Sequence, residues 1–193
     1  MNSSATGNKK ETGREIIQLA LESIIGREEM LRIVQHADQP ASGEPAVGQA
    51  QAGRVQAALE KAYGKLAGRG LAVRVGRACL GYSLRTLGDR SGLTDPAFRL
   101  LPLPKRLKAG SRKLADVFSQ FGEVHVTPSE EASRFLFTIN EVTECPCCAI
   151  AMGFLQEAYY WLSGGRNFLV TERECIAGGR PACTIMIDRV PIG

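Results

Sequence analysis

No stretch of this chain reaches the roughly eighteen consecutive apolar residues that a membrane-spanning helix needs. Its first residues, MNSSATGNKKETGRE, lack the apolar core of a secretory signal, so a cytoplasmic protein is expected and no membrane partner. The excess of positive charge is small, 24 Lys and Arg against 20 Asp and Glu, and no aromatics interleave with the basic residues, so nucleic acid is not an expected partner. Also missing are a phosphate-binding P-loop, a G-x-S-x-G elbow and a dinucleotide fingerprint; Gly68-Arg69-Gly70 lacks both the third glycine and a preceding strand. The two histidines, His36 and His125, lie far from the cysteines in sequence, which leaves a cysteine hydrolase without its base. There is no internal repeat.

What remains is ordinary soluble composition, 44% apolar and 23% charged, in 193 residues, enough for one domain with a substantial core and some additional helix. Met1 to Thr12 is polar and expected to be disordered. Gly13 to Ala37 has the apolar spacing of an amphipathic helix, or of two helices broken at Gly26. Asp38 to Gly53 is a Gly-, Pro- and Ala-rich linker, so residues 1–53 form an arm and linker and residues 54–193 the main domain. Within that domain, helices are predicted over Arg54 to Leu66 and Leu71 to Leu87, separated by Gly68-Arg69-Gly70. A loop follows at Gly88 to Gly92, then a helix start at Thr94-Asp95-Pro96 and a further helix over Leu107 to Phe121. The basic run Lys105, Arg106, Lys108, Arg112 and Lys113 reads as a solvated helix face, as a clamp for a carboxylate-bearing ligand such as a tetrapyrrole, or as a surface for an anionic partner.

Gly122 to Glu141 reads as two strands around Pro128 to Glu131, and Ala149 to Leu162 as a buried helix stopped by Ser163-Gly164-Gly165. Two last strands, Asn167 to Ile176 and Ala182 to Asp188, are joined by the glycine-bearing connection Ala177 to Pro181. The expected class is α+β: a four-stranded antiparallel sheet packed with helices behind an N-terminal helical arm.

Five of the six cysteines fall between Glu144 and Asp188. A hairpin centred on Gly179 sets Cys175 opposite Cys183, because facing positions across an antiparallel ladder share a constant sum. Two facing thiols are either a disulfide or half of a metal site. Glu172 adds a carboxylate, and the preceding helix brings Cys147 and Cys148. Three or four such groups suit a tetrahedral zinc ion, which a reducing compartment favours over a disulfide. In an ideal strand Glu172 and Cys175 point to opposite faces, so a bulge or a strand end is needed to bring both to one ion. Cys145-Pro146-Cys147 is a redox pair, a set of spare ligands or plain packing, and Cys79 a small core residue.

The spacing Glu172-x-x-Cys175-x7-Cys183, with Cys148 and Gly153 upstream, resembles the 4-vinyl reductase, or hydrocarbon-binding, domain family, related in fold to trafficking-particle subunits. The resemblance implies zinc ligands at Cys148, Glu172, Cys175 and Cys183, closed around a structural ion. It also implies an apolar cavity between helices and sheet, for which Tyr82, Phe135, Phe137, Phe154, Tyr159 and Trp161 are the candidate ligand-binding residues. The function it implies is a zinc-stabilised homodimeric module that senses or carries an apolar or aromatic small molecule, a tetrapyrrole among the candidates. Two alternatives accompany it: an accessory or reductase-like factor for the vinyl group of (bacterio)chlorophyll precursors, and an interaction subunit without ligand. No catalytic residue is assigned; without a nicotinamide or flavin motif the chain supplies no hydride of its own.

Overall fold

A computed structural model describes residues 3–38, 51–119, 124–141 and 148–192. Helix α1 (Ser3–Ile25) begins within the segment expected to be disordered, and ends at Gly26, whose φ of 82° only glycine adopts freely. Helix α2 (Arg27–Asp38) follows, and the stretch 39–50 of the expected linker lies outside the described residues. Helix α3 (Gln51–Tyr63) and helix α4 (Lys65–Ser91) are separated at Gly64, φ 80°.

The break expected at Gly68 to Gly70 is therefore four residues too late, and the structure gives the reason. Gly68 is helical, and a Cβ there would stand 2.4 Å from the Leu59 carbonyl oxygen, so its role is to let α4 approach α3. Residues 68, 72, 75, 76, 79, 80, 83 and 87 of α4 are all buried, a three- and four-residue spacing that marks one helical face. The loop expected from Gly88 starts only at Gly92, the left-handed C-cap of α4.

Asp95 caps helix α5 (Pro96–Arg99) by accepting from the Ala97 amide at 2.8 Å. Helix α6 (Leu103–Phe118) starts four residues before Leu107, because Pro104 sits in its first turn, where no amide hydrogen is needed. Strands β1 (Val124–Glu130) and β2 (Arg134–Glu141) follow; then come helix α7 (Cys148–Ser163), strand β3 (Val170–Glu174) and strand β4 (Cys183–Asp188). The class is α+β, with the four strands ordered β1-β2-β4-β3 in one antiparallel sheet. Pro128 lies in edge strand β1, where a missing amide hydrogen costs no ladder bond.

The register sets Phe135 opposite Ile187, Phe137 opposite Ile185 and Ile139 opposite Cys183, all six buried on one face. Burial of each large side chain there stabilises by about 1.5–3 kcal/mol. Helix α7 covers this face. Tyr159 sets its ring 5.6 Å from Phe135, 6.3 Å from Phe137 and 5.6 Å from Phe168, and Phe154 packs 5.4 Å from Phe118. Helix α4 lies on α7, with α1 and α3 against α4. At the α4–α7 crossing the backbones touch: a Cβ on Gly76 would fall 2.0 Å from the Ile150 carbonyl oxygen, and one on Gly153 would fall 1.9 Å from that of Val73.

Candidate functional site: a three-thiol cluster

The site is assembled where the first residue of α7 meets the terminal hairpin. Cys148 and Cys183 are completely buried and Cys175 half-buried; the Cys148 and Cys175 sulfurs lie 3.7 Å apart, and those of Cys175 and Cys183 3.9 Å apart. All three sulfurs fall within 4.8 Å of one another. Two local features produce this. Strands β3 and β4 pair with a register shift between Glu172 and Glu174, a bulge that turns the end of β3 toward β4. A 3-10 turn over Ile176–Gly178 then closes on Gly179, φ 79°, and the Ile176 amide donates to the Cys183 sulfur at 3.4 Å.

Burial raises the Cys175 thiol above its ordinary value, and the charges of Cys183 and Glu172 raise it further, while hydrogen bonds from the Ala177 backbone and from Cys148 act the other way. Helix α7 is fixed at this end by Gln56, a buried polar residue on the apolar face of α3, whose Oε1 accepts from the Ala149 amide at 2.9 Å. That amide belongs to the first turn of α7 and has no partner inside the helix. Position 56 falls among Ala52, Val55 and Leu59, all buried, and a glutamine interrupting such a stripe was the available signal for a helix-bridging role.

Glu172 is brought beside the cluster, but its carboxylate accepts from the Arg69 guanidinium at 2.8 Å. For Arg69 itself, burial works against the charge; the hydrogen bond and charge of Glu172, with a contribution from Cys148, outweigh it and hold the guanidinium more firmly protonated. Of the four residues named for the metal, three therefore bring their sulfurs to one point and the fourth is held by a cation. Sequence reasoning took Arg69 only as part of a glycine triplet. Cys145 and Cys147 lie outside the described residues, and Cys79 is fully buried in the α4 face, its thiol pushed upward by desolvation.

The six residues named for a ligand separate into two groups. Phe135, Phe137, Phe154 and Tyr159 are buried in the packed core, with the Tyr159 hydroxyl hydrogen-bonded to Ser111. Tyr82 and Trp161 are half-buried, each with an arginine over its ring: Arg85 at 4.5 Å and Arg99 at 5.5 Å. Of the histidines, His36 is exposed in the last turn of α2.

No protein-family model matches this chain, and no curated protein matches it. Solved structures do. An H-NOX protein from S. oneidensis in the Fe(II)NO ligation state aligns with a TM-score of 0.58 over 92% of this chain and 98% of its own, at 11% identity. An oxygen-binding H-NOX domain related to soluble guanylate cyclases aligns with a TM-score of 0.53 over 93% and 94%, at 12% identity. A structure that probes haem distortion in the H-NOX family gives 0.55 over 95% and 97%, at 14% identity.

This chain thus has the fold of H-NOX domains across nearly its whole length. The expected membership of the 4-vinyl reductase and trafficking-particle group is corrected by these matches, and with it the hydrocarbon-binding and bacteriochlorophyll assignments. Zinc is corrected as well: the matched structures are described by haem and iron ligation, and among the described residues the cluster brings together three sulfurs, with Glu172 paired to Arg69, where a structural zinc site takes four ligands. Among the described residues no helix is long and apolar enough to cross a membrane.

Proposed function

We propose that this chain is a binding module that senses or carries a small species without transforming it, and that its regulated site is the thiol cluster, loaded by a soft metal ion. The observation that carries the proposal is the convergence of Cys148, Cys175 and Cys183 to within 4.8 Å from the first turn of α7 and the terminal hairpin. An ion bound to thiolate sulfur at about 2.3 Å holds its ligands roughly 3.8–4.0 Å apart, and the sulfurs are already at 3.7 and 3.9 Å. With Glu172 held by Arg69, the set among the described residues is three sulfurs and no oxygen, which favours cuprous copper among biological ions. The reducing cytoplasm expected from the sequence would keep the thiols free to bind.

Haem, named for the matched H-NOX structures, has no room at the centre of the helix–sheet interface. It requires an apolar slot and an axial His, Cys, Met or Tyr donor. Tyr159, the aromatic at the centre of the helix–sheet interface, is wedged among three phenylalanine rings with its hydroxyl on Ser111, and His36 faces solvent. Support for a sensor role therefore comes from the fold, and support for the site from this chain's own thiols.

The test is anaerobic titration with Cu(I) against a competing chelator. One equivalent should bind with sulfur-to-copper charge-transfer absorption, and Cys175→Ser should weaken binding by about a hundredfold or more. Binding that is indifferent to Cys148→Ser, Cys175→Ser and Cys183→Ser would sink the proposal.

A further inference from the structure

The basic run on α6 contains one residue that packing does not account for. Lys108 pairs with Glu130 at 3.1 Å, and Lys113 donates to the Ser91 carbonyl oxygen at 2.8 Å. Arg106 differs: its Nη1 donates to the Arg99 carbonyl oxygen at 2.7 Å, while its Nε is buried with no hydrogen-bond partner. A buried donor without a partner is costly, and a guanidinium in that state is completed most favourably by an oxyanion.

Arg106 lines a cavity of about 60 Å³ together with Arg99, Trp161, Phe98, Leu162 and Gly164. That is room for about two waters, comparable to one tetrahedral oxyanion group. The Arg99 guanidinium lies over the Trp161 ring, and among the described residues neither arginine forms an ion pair. Two guanidinium groups without an ion pair among the described residues and an aromatic wall thus line one small cavity.

We infer that Arg99 and Arg106 form a binding site for a phosphate-type oxyanion, free or carried on a small molecule whose body lies along Trp161. The planar fork of each guanidinium matches the edge of such a group. This site is separate from the thiol cluster, and neither proposal rests on the other.

Trp161 is the only tryptophan in the chain, so the site carries its own reporter. At constant ionic strength, inorganic phosphate should change Trp161 fluorescence saturably, and chloride should not. Phenyl phosphate should bind more tightly than inorganic phosphate if the ligand lies along the ring, and equally if the group binds free. Arg99→Gln and Arg106→Gln should each weaken binding by about tenfold or more. Arg106→Lys, which keeps the charge and loses the fork, should not restore it. Arg112→Gln, on the exposed side of α6, should bind as the unmodified protein does. A response to chloride equal to that to phosphate, or equal losses in Arg112→Gln and Arg99→Gln, would overturn the inference. Because Arg99 is exposed, its substitution keeps the test decisive even if Arg106→Gln fails to fold.

Discussion

At the scale of single residues, the glycines of α4 and α7 divide into those that neighbouring backbone requires and those that nothing requires. Gly153→Ala would press a methyl group against the Val73 carbonyl, backbone that has no room to move, and should cost on the order of 3 kcal/mol. Gly70→Ala is the reverse case: nothing lies within 4 Å of its Cβ position in a helix interior, so it should stabilise by about 0.5–1 kcal/mol. Urea unfolding midpoints separate the two; equal shifts would show that the helices do not meet as described. This distinction was not legible in the sequence, where Gly68 and Gly70 look alike and read together as a break. What decides between them is the presence of α3 beside one and solvent beside the other.

At the scale of elements, α7 is fixed at its first turn by one side chain of α3. Gln56→Ala would leave the buried Ala149 amide without an acceptor and should cost about 1–3 kcal/mol, read from thermal or denaturant unfolding. An unchanged midpoint would mean that water replaces the glutamine without loss. Glu172→Gln should cost less than about 1 kcal/mol, since its pair with Arg69 is partly exposed. It should also leave Cu(I) affinity nearly intact; a hundredfold loss would make the carboxylate a ligand after all. The hairpin shows how far sequence reasoning carried at this scale. Two β-like runs and a glycine-bearing connection located both strands, and the constant-sum rule placed Cys175 beside Cys183. Parity asked for a bulge or a strand end only to bring Glu172 and Cys175 to one ion; the bulge is present, while Glu172 is paired with Arg69. That pairing was not legible, because 103 residues separate the two and only the assembled layers bring them together.

At the scale of the whole molecule, sheet, α7, α4 and the N-terminal helices form successive layers, and α1 buries Ile16, Ile17 and Leu21 completely. A chain starting at Gln51 would expose the face of α4 that α1 covers. It should lose its cooperative thermal transition; a sharp transition would establish residues 51–193 as an independent unit. The opposite edge responds to acid. Slight burial raises the Glu130 carboxyl, but Lys108 and Arg189 hold it below the ordinary range on balance. Its contribution is therefore complete above the unfolded value of about 4.3 and is lost as pH falls through the lower folded value. The stability difference between Glu130→Gln and the unmodified protein, under about 1 kcal/mol at neutral pH, should close below about pH 4. The glycine contact between α4 and α7 has a mechanical consequence at this scale: where two backbones touch, a rigid helix can tilt but not slide, so the contact is a fulcrum. Gly153 stands five residues from Cys148 and eight from Trp161, arms of about 7.5 and 12 Å at 1.5 Å per residue. Were α7 to tilt about that contact, a small displacement at the cysteine end would arrive at the tryptophan end with opposite sense and about one and a half times the amplitude.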